Sequence, residues 1–133
     1  MAEHILIIDA HTTALDVTHA LAQRLAPAAT ITCASTMYSG WLAAQRTSPD
    51  ALVIDPSPLG PGGVLLIQLC KAQYPALRVV VLASAPTAGL HRQLAQLGVD
   101  VYVEKPIASA RLVEQLRAGL AMSEPQAGLQ TAY

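Results

Sequence analysis

The chain of 133 residues contains no phenylalanine, and aromatic side chains make up only 4% of it. That scarcity counts against a flavin site, which is built around the flat faces of an isoalloxazine ring. Charge is equally sparse: charged residues are 13% and the formal net charge is −1. No basic footprint for nucleic acid or an anionic membrane surface is present. There are two cysteines, Cys33 and Cys70, with no CxxC or Cys/His spacing. Both are read as buried free thiols rather than as metal or redox ligands. No apolar run approaches the length of about 18 residues needed to span a bilayer. At the start, Glu3 and His4 precede only a short apolar run, which does not fit a secretory signal. A reducing cytoplasm is the simplest expected location.

What is abundant is aliphatic. Apolar residues make up 53%, enough for one domain with a core on both faces of a sheet. Apolar runs recur at Ile5–Ile8, Ala29–Ala34, Ala51–Ile54, Val79–Ala83 and Val101–Val103. Most are continuous rather than alternating, as in strands buried on both sides. Helix-period segments lie between them: Thr12–Leu25, Met37–Arg46, Val64–Tyr74, Leu90–Leu97 and Ala108–Ala121. Pro27, Pro49 and Pro75 follow the first three, Gly98 follows the fourth as a C-cap, and Ser109 is placed to cap the fifth. Strand and helix alternating five times predicts an α/β, flavodoxin-like (βα)5 domain with a doubly wound, five-stranded parallel sheet. The domain is expected over residues 1–122. Residues 123–133, with little to bury, are expected to form a flexible tail or linker.

Ligands of such sheets bind beyond the carboxyl ends of the strands, at the point where strand order reverses. The first strand ends at Asp9, the third at Asp55, the fourth at Ser84, and the fifth at Lys105 followed by Pro106. A single aspartate there is often only a loop starter or helix cap. The combination is less easily accidental, because the chain has only five aspartates and two lysines. A carboxylate facing an ammonium group also has an electrostatic reason to be there.

These pieces in this order resemble the receiver domain of bacterial two-component response regulators. They are "ILIID", "PDALVID", Gly63 eight residues after Asp55, "VVVLASA" and "LGVDVYVEKPI". The resemblance implies a phosphoacceptor rather than an enzyme with a separate substrate, at most phosphorylating and dephosphorylating itself. Asp55 would take a phosphoryl group from a sensor histidine kinase or phosphotransfer protein. Ser84 would bond a phosphoryl oxygen, and Lys105 would pair with its charge. Ser84 and Tyr102 would form the switch, and the Lys105–Pro106 bond would be cis. Asp9, Asp55 and the backbone carbonyl of Ser57 would hold Mg²⁺. Leu90–Ala121 would carry the face that meets a downstream protein, an output domain or a second copy in a homodimer. Its mixed charges include Arg92, Asp100, Glu104, Arg111, Glu114 and Arg117. Neither direct nucleic-acid binding nor membrane association is implied.

The chain departs from this family's pattern in two places. The second acid expected after the first strand is Ala10, which leaves two carboxylates and predicts a weakened Mg²⁺ site. The loop after Asp55 carries Pro56, Pro58 and Pro61, with Leu59 where the family more often has its proline. Three prolines stiffen that loop and remove amide donors. Pro86 stands two residues past Ser84, where side chains tune access of water. His11 is read as a partly exposed loop imidazole, and His4, His19 and His91 as surface or boundary residues.

Three alternatives remain open at this point. One is a degenerate receiver that acts by phosphorylation-independent protein binding. Another is a cobalamin domain, because Asp9-x-His11 and Ser57-Pro58-Leu59 resemble that family's D-x-H and S-x-L motifs. Against it, Ala14 replaces the first motif's glycine. The last is a flavin-binding domain, which would need the phosphate-binding loop the first turn lacks.

Overall fold

A computed structural model of the protein describes residues 2–121. The expected tail over residues 123–133 lies outside the described residues. The elements are β1 (His4–Ile8), α1 (Thr12–Leu25), β2 (Thr30–Ala34), α2 (Met37–Thr47), β3 (Ala51–Ile54), α3 (Pro61–Gln73), β4 (Arg78–Ala83), α4 (Ala88–Gln96), β5 (Val101–Glu104) and α5 (Ser109–Leu120). A 3-10 turn at Ser57–Leu59 follows β3. All strand pairings are parallel and the order is β2-β1-β3-β4-β5. The five-stranded flavodoxin-like sheet read from the sequence is therefore the fold.

Side chains of successive strand residues point to opposite faces, and beyond His4 and Arg78 at their starts the central strands are apolar at every position. Leu6 and Ile8, Leu52 and Ile54, and Val79, Val81 and Ala83 pack with α2, α3 and α4. Ile5 and Ile7, Ala51 and Val53, and Val80 and Leu82 pack with α1 and α5. Two cores, one on each face, thus come from uninterrupted aliphatic runs. Gly119 of α5 lies so close to the sheet that an added Cβ would stand 2.1 Å from Val80 Cγ2. The same helix is held at its end by Arg78, whose guanidinium donates to the carbonyls of Ala118 and Gly119.

The structure corrects several local expectations. Cys33 is exposed, not buried, because β2 is an edge strand and its burial is incomplete. Cys70 is buried as expected. The N-cap of α5 is Ala108, with no side-chain cap, so Ser109 is the first helical residue and not its cap. Helix α3 begins at Pro61, three residues earlier than the periodicity indicates. A proline suits that first position, where its fixed φ is helical and its missing N–H costs nothing. Gly98, with φ of +74°, follows α4 in the left-handed conformation expected of a helix stop.

Burial pushes the Cys70 thiol up to about 11, and burial, with Asp16 nearby, raises that of Cys33. Exposure then decides reactivity. Ellman's reagent at about pH 8 should titrate one thiol per folded chain, slowly, and both after denaturation. Loss of the native reaction in Cys33→Ser, with Cys70→Ser leaving it intact, would verify the assignment.

Candidate functional site

Strand order reverses at β1, which has β2 on one side and β3 on the other. Asp9 leaves the end of β1 and Asp55 the end of its neighbour β3. The Ile8–Ile54 register and a 3.0 Å bond from the Asp55 amide to the Ile8 carbonyl hold these ends side by side. Both carboxylates are buried, at 3% and 1% exposure. Lys105 comes from two strands further over and is anchored by its amide to the Ala83 carbonyl at 2.8 Å. Its Nζ donates to Asp9 Oδ2 at 2.7 Å and to Asp55 Oδ2 at 3.1 Å. The Lys105–Pro106 peptide is cis.

The other oxygen of each carboxylate is met by backbone. Asp55 Oδ1 accepts from the amides of Ser57, at 3.0 Å, and Ser84, at 3.2 Å. Asp9 Oδ1 accepts from the His11 amide at 2.9 Å. Burial raises the pKa of Asp55, but hydrogen bonds from Ser84, Lys105 and Ser57, with the Lys105 charge, outweigh it. The carboxyl is left more acidic than the ordinary 3.8. Lys105 shows the reverse balance. Burial lowers its pKa, while Asp9 and Asp55 more than compensate and raise it.

The prolines shape the loop beside Asp55. The Pro56 carbonyl accepts from the Leu59 amide at 3.0 Å, and the Ser57 carbonyl from the Gly60 amide at 3.3 Å. One lone pair of the Ser57 carbonyl is therefore committed to the turn. Gly63 lets α3 approach this turn: a Cβ there would lie 2.6 Å from the Pro56 carbonyl oxygen. The Ser57 hydroxyl accepts from the Ala85 amide at 3.1 Å, tying the loop after β3 to the loop after β4.

Ala10 is exposed and its side chain offers no donor atom. His11 is the N-cap of α1 with no side-chain cap bond. It is exposed, as read from the sequence, yet its Nδ1 lies 3.6 Å from Asp9 Oδ1. One ligand atom each from Asp9, His11 and Asp55 fall within 4.8 Å of one another, close enough to hold a metal ion. Two carboxylates and an imidazole do not make the all-oxygen set that Mg²⁺ favours. In the sequence His11 reads as a loop imidazole, because its nearness to Asp55 arises only across the β1–β3 pairing.

Tyr102 is not in this cluster. Its ring stacks on His91 of α4 with centroids 4.6 Å apart, and its hydroxyl is 3.4 Å from Glu104 Oε2. The surface expected to meet partners, Leu90–Ala121, has none of the exposed large hydrophobic residues among the described residues. Those are Val17, Met37, Tyr38, Leu42, Leu65 and Leu69, on α1, α2 and α3. No helix among the described residues is long and apolar enough to cross a membrane.

Removing the ammonium by Lys105→Met would leave two buried carboxylates facing each other. The expected loss is about 3 kcal/mol of unfolding free energy at neutral pH, measured by urea denaturation. A carboxyl that is more acidic folded than unfolded stabilises the fold above its unfolded pKa. That contribution is lost as pH falls through the folded value. For the metal-free protein, stability should therefore decline as pH drops below 3.8. Asp55→Asn should make this decline shallower in the same measurement.

Residues 5–117 match the family model described as the response regulator receiver domain. No curated protein matches the sequence. Among solved structures, the chain is similar to a CheY-like response regulator receiver domain protein from Methanospirillum hungatei. Identity is 20%, the TM-score 0.78, and 90% of this chain and 94% of that one are covered. It is also similar to the chemotaxis protein CheY4 of Vibrio cholerae, with 15% identity, a TM-score of 0.76, and 90% and 100% coverage. A BeF3-activated DrrB receiver domain aligns with a TM-score of 0.73 at 18% identity, covering 88% of this chain and 96% of that one. The sheet order, the strand-end site of Asp9, Asp55 and Lys105, and the family match across most of the sequence lead to one assignment: the chain belongs to the response regulator receiver domain family.

Proposed function

We propose that Asp55 accepts a phosphoryl group from a phosphohistidine on a sensor kinase or phosphotransfer protein. The observation that carries this reading is the Lys105 ammonium set 3.1 Å from a buried Asp55 carboxylate held in its ionised form. An ionised oxygen is the nucleophile that acyl phosphate formation requires. In the step, an Asp55 oxygen bonds to phosphorus while the phosphorus–nitrogen bond breaks. The electron pair returns to the donor imidazole, leaving an acyl phosphate on Asp55.

Phosphoryl transfer depends on positioning and charge stabilisation more than on covalent help. Lys105 would follow the growing negative charge from carboxylate to phosphoryl oxygens. Ser84, whose amide already bonds Asp55, would turn its hydroxyl to a phosphoryl oxygen. Tyr102 would then leave its contact with His91 and Glu104, passing the change to α4 and β5. The relay surface is proposed as the polar face of α4, β5 and α5, used with a downstream protein, an output domain or a second copy. Residues 1–122 are proposed as the receiver unit, and the cytoplasm as its location.

A specific observation favours a second reading, a receiver that signals by binding alone. Ala10 removes one carboxylate and the Ser57 carbonyl is partly engaged by the turn, and both weaken cation support for a phosphorylated state. Intact mass after treatment with acetyl phosphate and a divalent cation separates the two. A gain of one phosphoryl group in the parent, absent in Asp55→Asn, supports phosphoacceptance. No gain with Mg²⁺, Mn²⁺ or Co²⁺ selects the binding module. If the missing acid limits the site, Ala10→Asp should speed labelling in Mg²⁺.

A further inference from the structure

We infer that His11 takes the place of the missing acid as a metal ligand, and that this shifts the site from Mg²⁺ towards borderline divalent metals such as Co²⁺, Ni²⁺ and Zn²⁺. The inference rests on reading the Asp9–Asp55 pocket as a cation site, but it does not require phosphorylation.

Three features converge on it. The residue after Asp9 is an exposed alanine with no donor, so the oxygen that would complete a set of acids is missing from the loop. The imidazole one residue further on is brought back to the pocket. The Asp9 carboxylate accepts the His11 amide at 2.9 Å, which folds the loop so that Nδ1 sits 3.6 Å from the same oxygen. At that distance the ring nitrogen is a neighbour of the carboxylate and not closely bonded to it. His11 also makes no side-chain cap to α1, so coordination would sacrifice no helix bond. Finally, the donor atoms of Asp9, His11 and Asp55 already lie within 4.8 Å of one another.

Charge and donor type then set the preference. The carboxylates of Asp9 and Asp55 contribute two negative charges, and Lys105 cancels one of them. A neutral imidazole adds no charge. Mg²⁺, which is held mainly by charge and oxygen and gives up water reluctantly, gains little from such a set. Cobalt, nickel and zinc gain from an imidazole nitrogen, and their affinity for nitrogen-containing sites rises along the series from manganese to nickel. The single negative charge left in the pocket is enough to attract the cation, while the nitrogen discriminates between cations.

Any carboxylate site binds nickel more tightly than magnesium, so the decisive quantity is how the ratio changes. The full chain should be titrated calorimetrically with MgCl₂, CoCl₂ and NiCl₂, without phosphodonor, in a Cys33→Ser background that removes the exposed thiol. His11→Ala is expected to weaken Co²⁺ and Ni²⁺ by about tenfold or more while leaving Mg²⁺ nearly unchanged. Ala10→Asp should tighten Mg²⁺ and narrow the ratio from the other side. His91→Ala, which alters another exposed imidazole, should change neither. Amide NMR with Ni²⁺ should broaden the signals around Asp9, His11 and Asp55. Equal weakening of all three metals by His11→Ala, no weakening at all, or broadening centred on another histidine would overturn the inference. Circular dichroism checks that the His11 variant is folded. The titration needs no phosphodonor, so the two readings fail separately: His11-dependent selectivity together with no mass gain in the acetyl phosphate experiment would refute the phosphoacceptor reading alone. Labelling without His11-dependent selectivity would refute this one alone.

Discussion

One ammonium group sits between two buried carboxylates, and much of the molecule is arranged around that fact. Asp9 and Asp55 end adjacent strands, so the sheet register forces their charges together in a poorly hydrated place. Two such charges are tolerable only with a counter-charge and a full set of hydrogen bonds. Lys105 supplies the first by reaching across the end of β4, and the amides of His11, Ser57 and Ser84 supply the second. Three strand ends and three loops are thereby tied to one point. The same tie keeps Asp55 more acidic than an ordinary aspartate despite its burial.

The loops around that point are unusually stiff on one side and unusually poor in charge on the other. After β3, successive prolines and the 3-10 turn lock the backbone, and Gly63 allows α3 to close against Pro56. After β1, an alanine occupies a place where an acid would strengthen cation binding, and a histidine follows it. The two departures act on the same pocket. The Ser57 carbonyl is engaged by the turn on one side, and the His11 imidazole lies with Asp9 and Asp55 on the other loop's side of the same cluster.

The fold was largely legible because its signals are local. Aliphatic runs such as Ile5–Ile8 and Ala51–Ile54 are buried on both faces, and no amphipathic alternation competes with that reading. Helix ends marked by Pro27, Pro75 and Gly98 came out close to their observed positions. The misses have local causes as well. Pro61 resembles a breaker but serves as a first helical residue, and Ser109 resembles a cap but lies inside the helix. Cys33 followed the rule for cysteine burial and failed it because β2 is an edge strand, a property of strand order and not of composition.

The site divides along the same line. The sequence by itself determined that Asp9, Asp55 and Lys105 stand at strand ends: Asp9 and Asp55 directly follow an apolar run, and Lys105 follows one after Glu104. It also determined the gap at Ala10. Only the tertiary structure decided that one lysine spans both carboxylates, that the Ser57 carbonyl is drawn into a turn, and that the His11 ring comes within reach of Asp55. Those are distances between residues as much as 96 positions apart in the chain, and they depend on strand order and on loop hydrogen bonds. Spacing along a chain records neither.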